Sequence, residues 1–348
     1  MTDFSCPVVR VAATRPIPDA DEIEHVRVFG LDVIAPKGKY HAGDLAIYAP
    51  PDAVLPQELA TSLKGQAKLF GERRNRVRAY RLRGAVSEGV LIPGSGTLGD
   101  DAAPALGITH YEIPVPTPWR GDCIYMPSLT VAYDIRSARR YPHVLGNTDE
   151  VELTEKLHGT MCAIGFFPRL SHPELLERDT LVYSKGLSET GHTLKASNHA
   201  NLYVRTVEAM GLRDRVRAAF NGRPATVFGE IFGGTIQDLS YGRIDPSFAV
   251  FDVYLGTPGR GRWLDRDEFA LIANEIAPPA PVLYRGRLDP GIVQQLASGP
   301  TVAGKLAHIR EGVVIRPMQE RTHPRVGRAI LKYVSTDYLT RANGSEFH

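Results

Sequence analysis

The chain has 348 residues, of which 43% are hydrophobic, and this length and composition are typical of a soluble protein with two domains. Lysine and arginine (41 residues) nearly balance aspartate and glutamate (39 residues), so the net charge is only +2 and any nucleic-acid-binding surface must be local. Three widely spaced cysteines without a CxxC pair argue against a disulfide framework and against a zinc site.

The sequence carries no sign of export. The N-terminus lacks the basic and apolar segments of a signal peptide, and no apolar run approaches the ~20 residues that span a bilayer. We therefore expect a cytoplasmic protein that does not bind a membrane. The segment Gly344–His348 matches a cloning remnant as well as a natural polar tail, and both origins stay open.

Short strands separated by turns dominate the first hundred residues. A helix is predicted only at 56–70. The predicted strands are 8–12, 26–29, 31–34, 44–48 and 83–93. Strands of this length and spacing are typical of a small barrel, and we predict a barrel domain at residues 1–110.

A stretch rich in glycine, proline and aspartate follows the barrel. It predicts a linker at 111–125 and a second domain at 126–348. One amphipathic helix is predicted at 201–220, where apolar residues recur at helical spacing. The predicted strands of this domain are 151–154, 224–231, 248–255, 312–316 and 329–334.

Residues 64–83 form the most basic part of the chain, with eight lysines and arginines against one acidic residue, Glu72. On a strand, arginines two residues apart would share a face. Arginine binds phosphate through paired hydrogen bonds, whereas the alternative interpretation is a solvated charged face. We favour contact with a nucleic-acid backbone. The candidate residues are Arg74, Arg76, Arg78, Arg81 and Arg83.

Four short motifs occur in order in the second domain. They are Glu-Lys-Leu-His-Gly-Thr at 155–160, Val-Phe-Gly-Glu-Ile-Phe-Gly at 227–233, Glu-Gly-Val-Val-Ile-Arg at 311–316 and Ala-Ile-Leu-Lys-Tyr-Val-Ser at 329–335. Together they resemble the lysine-nucleotidyltransferase superfamily of RNA ligases, DNA ligases and mRNA capping enzymes. The Glu-Lys-x-His-Gly-Thr form resembles the RNA ligase 2-related branch.

The first domain adds a second resemblance. A Pro-x-Pro-x-Ala-Asp-x-Ile-Glu segment at 16–24, followed by Gly43-Asp44-Leu45, resembles the oligonucleotide-binding (OB) barrels attached to some tRNA synthetases and to RNA ligase 5-type repair ligases. The implied fold is α+β, with an N-terminal OB-like β-barrel and a nucleotidyltransferase (ATP-grasp-like ligase) domain of antiparallel sheets and flanking helices. Only 16 residues follow Lys332, so we expect no C-terminal barrel.

The resemblance implies an ATP-dependent RNA ligase that joins 3′-OH and 5′-phosphate ends. Its expected substrate is a nick in duplex RNA or in an RNA/DNA hybrid, and no obligate protein partner is inferred. In such enzymes a lysine attacks the α-phosphate of ATP to form lysine–AMP, AMP moves to the 5′-phosphate, and the 3′-hydroxyl displaces it. Lys156 matches the nucleophile. An ordinary lysine has a pKa of about 10.4, so it needs nearby positive charge or desolvation to lose its proton.

The other motif positions imply the rest of the site. Lys332 would assist catalysis and bind the nucleotide, and Glu311 and Glu230 would hold Mg²⁺ or Mn²⁺. Phe248 is predicted to stack on adenine, while Phe251 is predicted to be a core residue. The predicted nucleotide-binding residues are Glu155, His158, Gly159, Lys185, Glu230, Phe248 and Lys332.

Two positions depart from the family pattern, and two rival functions remain. Met161 stands where many relatives have asparagine. Val334 stands where many ligases have a second lysine, so Arg316 or Arg328 is expected to replace that phosphate contact.

One rival function is a DNA ligase or capping-type nucleotidyltransferase, against which the histidine of the first motif and the missing C-terminal barrel both argue. The other is a non-catalytic RNA-binding protein with a degenerate nucleotidyltransferase domain, against which the intact motif residues argue.

Overall fold

The computed structural model describes residues 4–71, 73–111, 122–306 and 308–341. Most of the predicted linker and the whole of the tail Gly344–His348 lie outside these ranges, as does Glu72. Within the described part of the chain, no helix has the length and apolar character needed to cross a membrane.

The N-terminal part is built from short antiparallel strands. Its elements are β1 (Val8–Arg10), β2 (Ala13–Pro16), β3 (Ile23–Val28), β4 (Leu31–Pro36), β5 (Leu45–Ala49), β6 (Ala53–Val54), α1 (Gln57–Ser62), β7 (Tyr80–Leu82), β8 (Ala85–Ser87), β9 (Val90–Pro93), α2 (Ala103–Leu106) and β10 (Thr109–His110). Buried and less buried residues alternate along β3, so one face of this strand points to the core. The buried residues of β3 cluster with those of β5 and β9, and sheets β1-β5-β9 and β2-β3-β4 therefore pack together. The pattern is that of the predicted barrel.

The basic segment is less regular than predicted. Only Tyr80–Leu82 is a strand, whereas Arg76 makes isolated bridges to Phe70 and Val54 and Arg83 lies in a turn with a φ of 49°. The prediction that paired arginines would share a strand face is therefore wrong at these positions.

The C-terminal part contains two five-stranded sheets. Its elements are β11 (Cys123–Tyr125), β12 (Arg136–Ser137), β13 (Glu150–Lys156), β14 (Gly159–Phe166), β15 (Thr180–Ser184), α3 (Lys185–Glu189), β16 (His192–Leu194), α4 (Leu202–Ala209), α5 (Leu212–Ala219), β17 (Ala225–Phe232), β18 (Ser247–Leu255), β19 (Arg262–Trp263), α6 (Arg266–Ile276), β20 (Val282–Arg287), α7 (Pro290–Ala297), β21 (Gly312–Pro317), β22 (Thr322–His323), β23 (Gly327–Arg328), β24 (Leu331–Val334) and α8 (Thr336–Thr340). The first sheet has the order β12-β24-β21-β13-β20 and the second has the order β15-β14-β17-β18-β19.

The two sheets are joined by the turn that leads from β13 to β14, at Leu157 and His158. The strands are antiparallel except that β12 runs parallel to β24. Residues after β13 therefore lie where both sheets meet. Strand β11 pairs with β16, so residues 123–125 join this part of the molecule, although the predicted linker included them.

The predicted single helix at 201–220 is wrong. The structure has two helices, α4 and α5, separated by Gly211, whose φ of 59° lies in the left-handed region. Glycine adopts this conformation without the steric cost that a Cβ would add, so the chain turns there although the apolar spacing continues. Val207 and Val216 both face the core that α4 and α5 share with the second sheet.

Candidate active site

Strand register places Lys156 beside Glu311. Lys156 pairs with Gly312 across β13 and β21, so the residue before Gly312 lies next to the lysine. The Nζ of Lys156 is 2.5 Å from Oε1 of Glu311, and the Glu311 side chain is only 1% exposed. Gly312 is required here, because an added Cβ would lie 2.2 Å from the carbonyl oxygen of Tyr333.

Glu311 is ionised in this arrangement. Burial alone would raise the pKa of Glu311, but the Lys156 ammonium and the nearby His158 lower it to about 2. Its second oxygen, Oε2, is buried and accepts no hydrogen bond from the residues that the structure describes. A buried carboxylate oxygen without a donor is costly, and it has a lone pair available for an additional ligand.

Glu230 lies on β17, in the second of the two five-stranded sheets. It pairs with Met161 across β14 and β17, and the backbone N–H of Gly159 donates to its carboxylate. Desolvation raises the pKa of Glu230 to about 8, with Glu311 adding to the shift and Lys156 opposing it. Of the two predicted metal-binding residues, Glu230 thus has a pKa above the ordinary value of a glutamate and Glu311 has a pKa below it.

The ring of His158 is enclosed. Its Nε2 lies 2.6 Å from Oδ1 of Asp238, the Tyr338 hydroxyl lies 2.7 Å from its Nδ1, and Nδ1 is 3.7 Å from Oε2 of Glu311. The backbone N–H of His158 donates to the hydroxyl of Tyr241 at 2.8 Å. Gly159, the next residue, approaches β17 so closely that a Cβ would lie 2.1 Å from the Ile231 carbonyl oxygen.

Lys185 and Arg136 contact the carboxylate of Asp134, and Lys332 lies near enough to act on its charge. Lys185 Nζ is 3.1 Å from Oδ1 of Asp134, and Arg136 lies 3.2 Å from the other oxygen. Burial would raise the pKa of Asp134, but Lys185, Arg136 and Lys332 lower it. Asp134, Arg136 and Lys332 also line a cavity between the two parts of the molecule. Tyr48 of the N-terminal part lines the same cavity.

Glu155 is engaged within the protein. The Thr301 hydroxyl and the Val302 N–H both donate to its carboxylate, the latter at 2.8 Å. Burial raises the pKa of Glu155 despite these bonds. A contact between Glu155 and adenine stays a prediction.

The structure reverses the predicted burial of two aromatic rings. Phe248 is 1% exposed and packs on Gly229, whose added Cβ would lie 2.1 Å from Phe248 Cζ. Phe251 is only partly buried, with its ring 5.2 Å from Tyr133, and it packs on the cluster that contains Ala249, the cross-strand neighbour of Glu230. Stacking on adenine by Phe248 stays a prediction.

The two arginines expected to replace the second lysine bind carboxylates. Arg316 lies 3.7 Å from Asp252 and donates to the Thr154 hydroxyl at 3.0 Å. Arg328 contacts Asp252 at 3.1 Å and Glu320 at 2.7 Å, and its guanidinium lies 3.5 Å from the centre of the Trp263 ring. Val334 itself is buried.

The predicted RNA-binding arginines differ in their surroundings. Arg74 is exposed, and Arg78 lies near the Phe70 ring, at 5.7 Å. Arg76 donates to Asp52 at 2.8 Å and stacks on Tyr111. Two others make contacts within the protein: Arg81 is 3.4 Å from Asp337 of α8, and Arg83 donates to the carbonyl of Asp19.

Several contacts of the site have no signal in the sequence. Asp134, Arg136, Asp238, Tyr338 and Arg341 were not predicted, because each lies outside the four motifs. Their positions depend on long-range pairing, such as that of Arg136 and Ser137 with Leu331 and Lys332 across β12 and β24. A polar residue in a loop or a helix gives no comparable signal.

A family model described as RNA ligase matches residues 149–334, more than half of the chain. The chain belongs to the RNA ligase family. A second family model, described as an OB-fold domain, matches residues 6–94. These matches confirm the predicted RNA ligase resemblance and the OB-like first domain. A search of curated proteins found no match.

RNA ligase structures from Naegleria gruberi are similar to nearly the whole chain. A lysine-to-alanine variant with ATP and Mn has 21% identity and a TM-score of 0.76, over 96% of this chain and 98% of that chain. A lysine-to-methionine variant with AMP and Mn and a variant without ligand both have 21% identity and a TM-score of 0.77, over 97% and 98% of the respective chains. The likeness confirms the predicted α+β fold with an OB domain and a ligase domain.

Proposed function

We propose that this member of the RNA ligase family uses ATP to join 3′-OH and 5′-phosphate RNA ends, acting on nicks in duplexes. The observation that carries the proposal is the contact of Lys156 with the buried carboxylate of Glu311 at the junction of the two sheets. A lysine held by an ionised carboxylate beside a second carboxylate, Glu230, suits a nucleophile that works together with a divalent cation.

In the proposed reaction Lys156 attacks the α-phosphorus of ATP. A P–N bond forms, the bond to the β-phosphate oxygen breaks, and pyrophosphate leaves. An oxygen of the RNA 5′-phosphate then attacks the same phosphorus and frees the lysine. Finally the 3′-hydroxyl attacks the activated 5′-phosphate, loses its proton and releases AMP. Because Lys156 must be neutral to attack, its ammonium group has to lose a proton first, while Glu311 keeps the amine nitrogen in place.

The carboxylates of the site fit a divalent cation. Among the described residues there is no group of three or more histidine, cysteine, aspartate or glutamate side chains that could hold a metal ion. Mg²⁺ is usually bound by one or two carboxylates together with waters and substrate phosphates, so Glu311, with its unpartnered Oε2, and Glu230 suffice. When bound, the cation would offset the negative charge of the phosphates.

We further propose how ATP is bound. Lys332 and Lys185 would hold phosphate oxygens in exchange for Asp134. Between the two aromatic candidates, Phe251 is favoured over Phe248 for stacking on adenine, because its ring is less buried and packs beside the neighbour of Glu230. His158, Gly159 and Glu155 would shape the pocket around the nucleotide.

The basic segment is the proposed RNA surface. Arg74, Arg78, Arg81 and Arg83 would contact backbone phosphates without sequence preference. Arg76 would act indirectly, because Asp52 and Tyr111 hold its guanidinium.

The test is covalent labelling with ATP that carries a labelled α-phosphate. The protein is first stripped of bound AMP with pyrophosphate, then incubated with Mg²⁺ and ATP and denatured. We expect label on the polypeptide, and none on Lys156→Ala. Sealing of a nicked RNA duplex, compared with a nicked DNA duplex, then tests the substrate. An unlabelled wild-type protein would refute the proposed reaction.

A further inference from the structure

The imidazole of His158 is fixed by two residues that are distant from it in sequence. Oδ1 of Asp238, in the loop after β17, is 2.6 Å from Nε2, and the hydroxyl of Tyr338, on α8, is 2.7 Å from Nδ1. The His158 side chain is fully buried, and Tyr338 is 0% exposed. The ring can rotate only if both hydrogen bonds break.

Arg341 completes this cluster. It binds Asp238 through two nitrogens, with Nη2 at 2.9 Å from Oδ1 and Nε at 3.2 Å from Oδ2, and its guanidinium lies 3.5 Å from the centre of the Tyr338 ring. A bidentate arginine keeps a carboxylate ionised and oriented. Ionised Asp238 only accepts hydrogen bonds, so the hydrogen bond between it and the imidazole is donated by Nε2.

The fixed ring lies beside the catalytic pair. Nδ1 is 3.7 Å from Oε2 of Glu311, while Oε1 of the same carboxylate contacts Lys156. Movement of the imidazole would open space next to Glu311, and the carboxylate would be free to turn away from the lysine. The position of the ring therefore limits the orientation of Glu311.

We propose that Asp238, Tyr338 and Arg341 are positioning residues, which hold His158 against Glu311 and so keep Glu311 aligned with Lys156. This inference rests on the proposed formation of lysine–AMP. Two chain segments outside the four motifs, the loop after β17 and the region of α8, thereby determine the geometry around the nucleophile.

The rate of lysine–AMP formation at increasing ATP concentration tests the inference. In Tyr338→Phe and in Asp238→Asn we expect the rate at saturating ATP to fall by about 10- to 100-fold, with the half-saturating ATP concentration changed by less than about twofold. Tyr284→Phe is the matched control, because its hydroxyl donates to the carbonyl of Arg287 at 2.9 Å on edge strand β20. This control should behave as the wild type does.

A cycle with His158→Ala separates positioning from a general loss of structure. If Asp238 acts through His158, Asp238→Asn causes no further loss of rate once the ring is gone. Additive losses would overturn the inference, as would unchanged rates in both single variants or an effect confined to half-saturation. If Asp238→Asn melts below the assay temperature, Tyr338→Phe decides, because it keeps the buried ring. A wild-type protein that forms no lysine–AMP would refute the proposed function instead.

Discussion

Glu230 and Glu311 show how different surroundings give two glutamate side chains different pKa values. Both belong to the same site, yet desolvation raises the pKa of Glu230 to about 8 while Lys156 and His158 lower the pKa of Glu311 to about 2, against its own burial. The fold therefore favours the protonated form of Glu230 and the ionised form of Glu311. Such a difference is typical of sites in which carboxylates have distinct tasks.

The raised pKa of Glu230 predicts a pH-dependent effect of Glu230→Gln on stability. The ordinary pKa is 4.5, so between pH 4.5 and about 8 the native state keeps a proton that the unfolded chain has released. Wild-type stability therefore falls as the pH rises through this window, and the uncharged glutamine escapes the loss. Without divalent cations, we expect Glu230→Gln to melt at least about 2 °C higher than the wild type at pH 9 and equally at pH 4.

Differential scanning calorimetry in EDTA provides this comparison. Glu58→Gln, at an exposed position on α1, controls for the exchange of a carboxyl group for an amide. A difference between Glu230→Gln and the wild type that stayed constant from pH 4 to pH 9 would contradict the assigned shift.

The motifs predicted which residues converge, but not the detail of their contacts. The sequence indicated that Lys156, Glu230 and Glu311 would share a site, and the strand register brings them together. It did not indicate which of Phe248 and Phe251 is buried, because a β-bulge between β17 and β18 shifts the register near Phe251. Nor did it reveal Asp238 or Tyr338, whose contacts depend on the tertiary fold.

At the scale of elements, the close packing of the start of β14 on β17 requires a glycine, Gly159. A Cβ on Gly159 would lie 2.1 Å from the carbonyl oxygen of Ile231, and backbone atoms cannot move away cheaply. We expect Gly159→Ala to lower the free energy of unfolding by about 3 kcal/mol, the upper range for overpacking. Because the Gly159 amide also donates to Glu230, lysine–AMP formation should fall as well.

Gly186→Ala is the matched control for this substitution. Gly186 lies in α3, where an added Cβ meets no atom within 4 Å, so alanine should be neutral or stabilise the protein by up to about 1 kcal/mol. Urea denaturation measures both variants. Equal stabilities would show that the β14 and β17 backbones separate more easily than their register suggests.

The basic segment separates into exposed and paired arginines. Arg73 and Arg74 are exposed, whereas Arg76 is held by Asp52 and Tyr111. We expect Arg73→Ala with Arg74→Ala to weaken binding of nicked RNA and to reduce its salt dependence, with unchanged melting. Arg76→Ala should instead lower the melting temperature, because the largely buried Asp52 loses its partner. Weaker binding without destabilisation in Arg76→Ala would show that its guanidinium contacts RNA directly.

The elements themselves were predicted unevenly. Strands with apolar alternation, such as β13, β17, β18 and β21, were found within one or two residues of their ends. The break between α4 and α5 was missed, because the apolar spacing continues through Gly211 and only its positive φ reveals the turn. The irregular backbone around Arg76 was missed because charge spacing alone does not determine a strand.

At the scale of the whole molecule, Arg139 joins the OB domain to the ligase domain. Its guanidinium pairs with Glu88 of the OB domain and donates to the Val334 carbonyl at 3.1 Å and to the Thr336 hydroxyl at 3.2 Å. The backbone N–H of Gly30 donates to the carbonyl of Arg139 at 3.1 Å. One arginine thus connects the OB domain with the end of β24 and the start of α8, the helix that carries Tyr338.

Because of this connection, we expect that in Arg139→Ala the OB domain and the ligase domain no longer unfold together. Each side chain of the Arg139–Glu88 pair is only 10% exposed, so removing the arginine leaves a largely buried carboxylate, a loss of about 3 kcal/mol. We expect urea to unfold the wild type in one transition and Arg139→Ala in two. Lysine–AMP formation should persist because Lys156 and Glu311 remain paired. Nick sealing should fall, because under the proposed function the OB domain holds the RNA at the nucleophile.

Arg262→Ala serves as the control, because its ion pair with Glu268, at 2.6 Å, is exposed and lies within the ligase domain. It should unfold in one transition and seal nicks normally, since exposed pairs contribute little. If Arg139→Ala also unfolded in one transition with full sealing, the remaining contacts, such as that of Arg140 with the Ser5 carbonyl at 2.8 Å, would be enough to hold the domains together. If sealing and lysine–AMP formation fell together, Arg139 would act through β24 on Lys332 rather than on the placement of RNA.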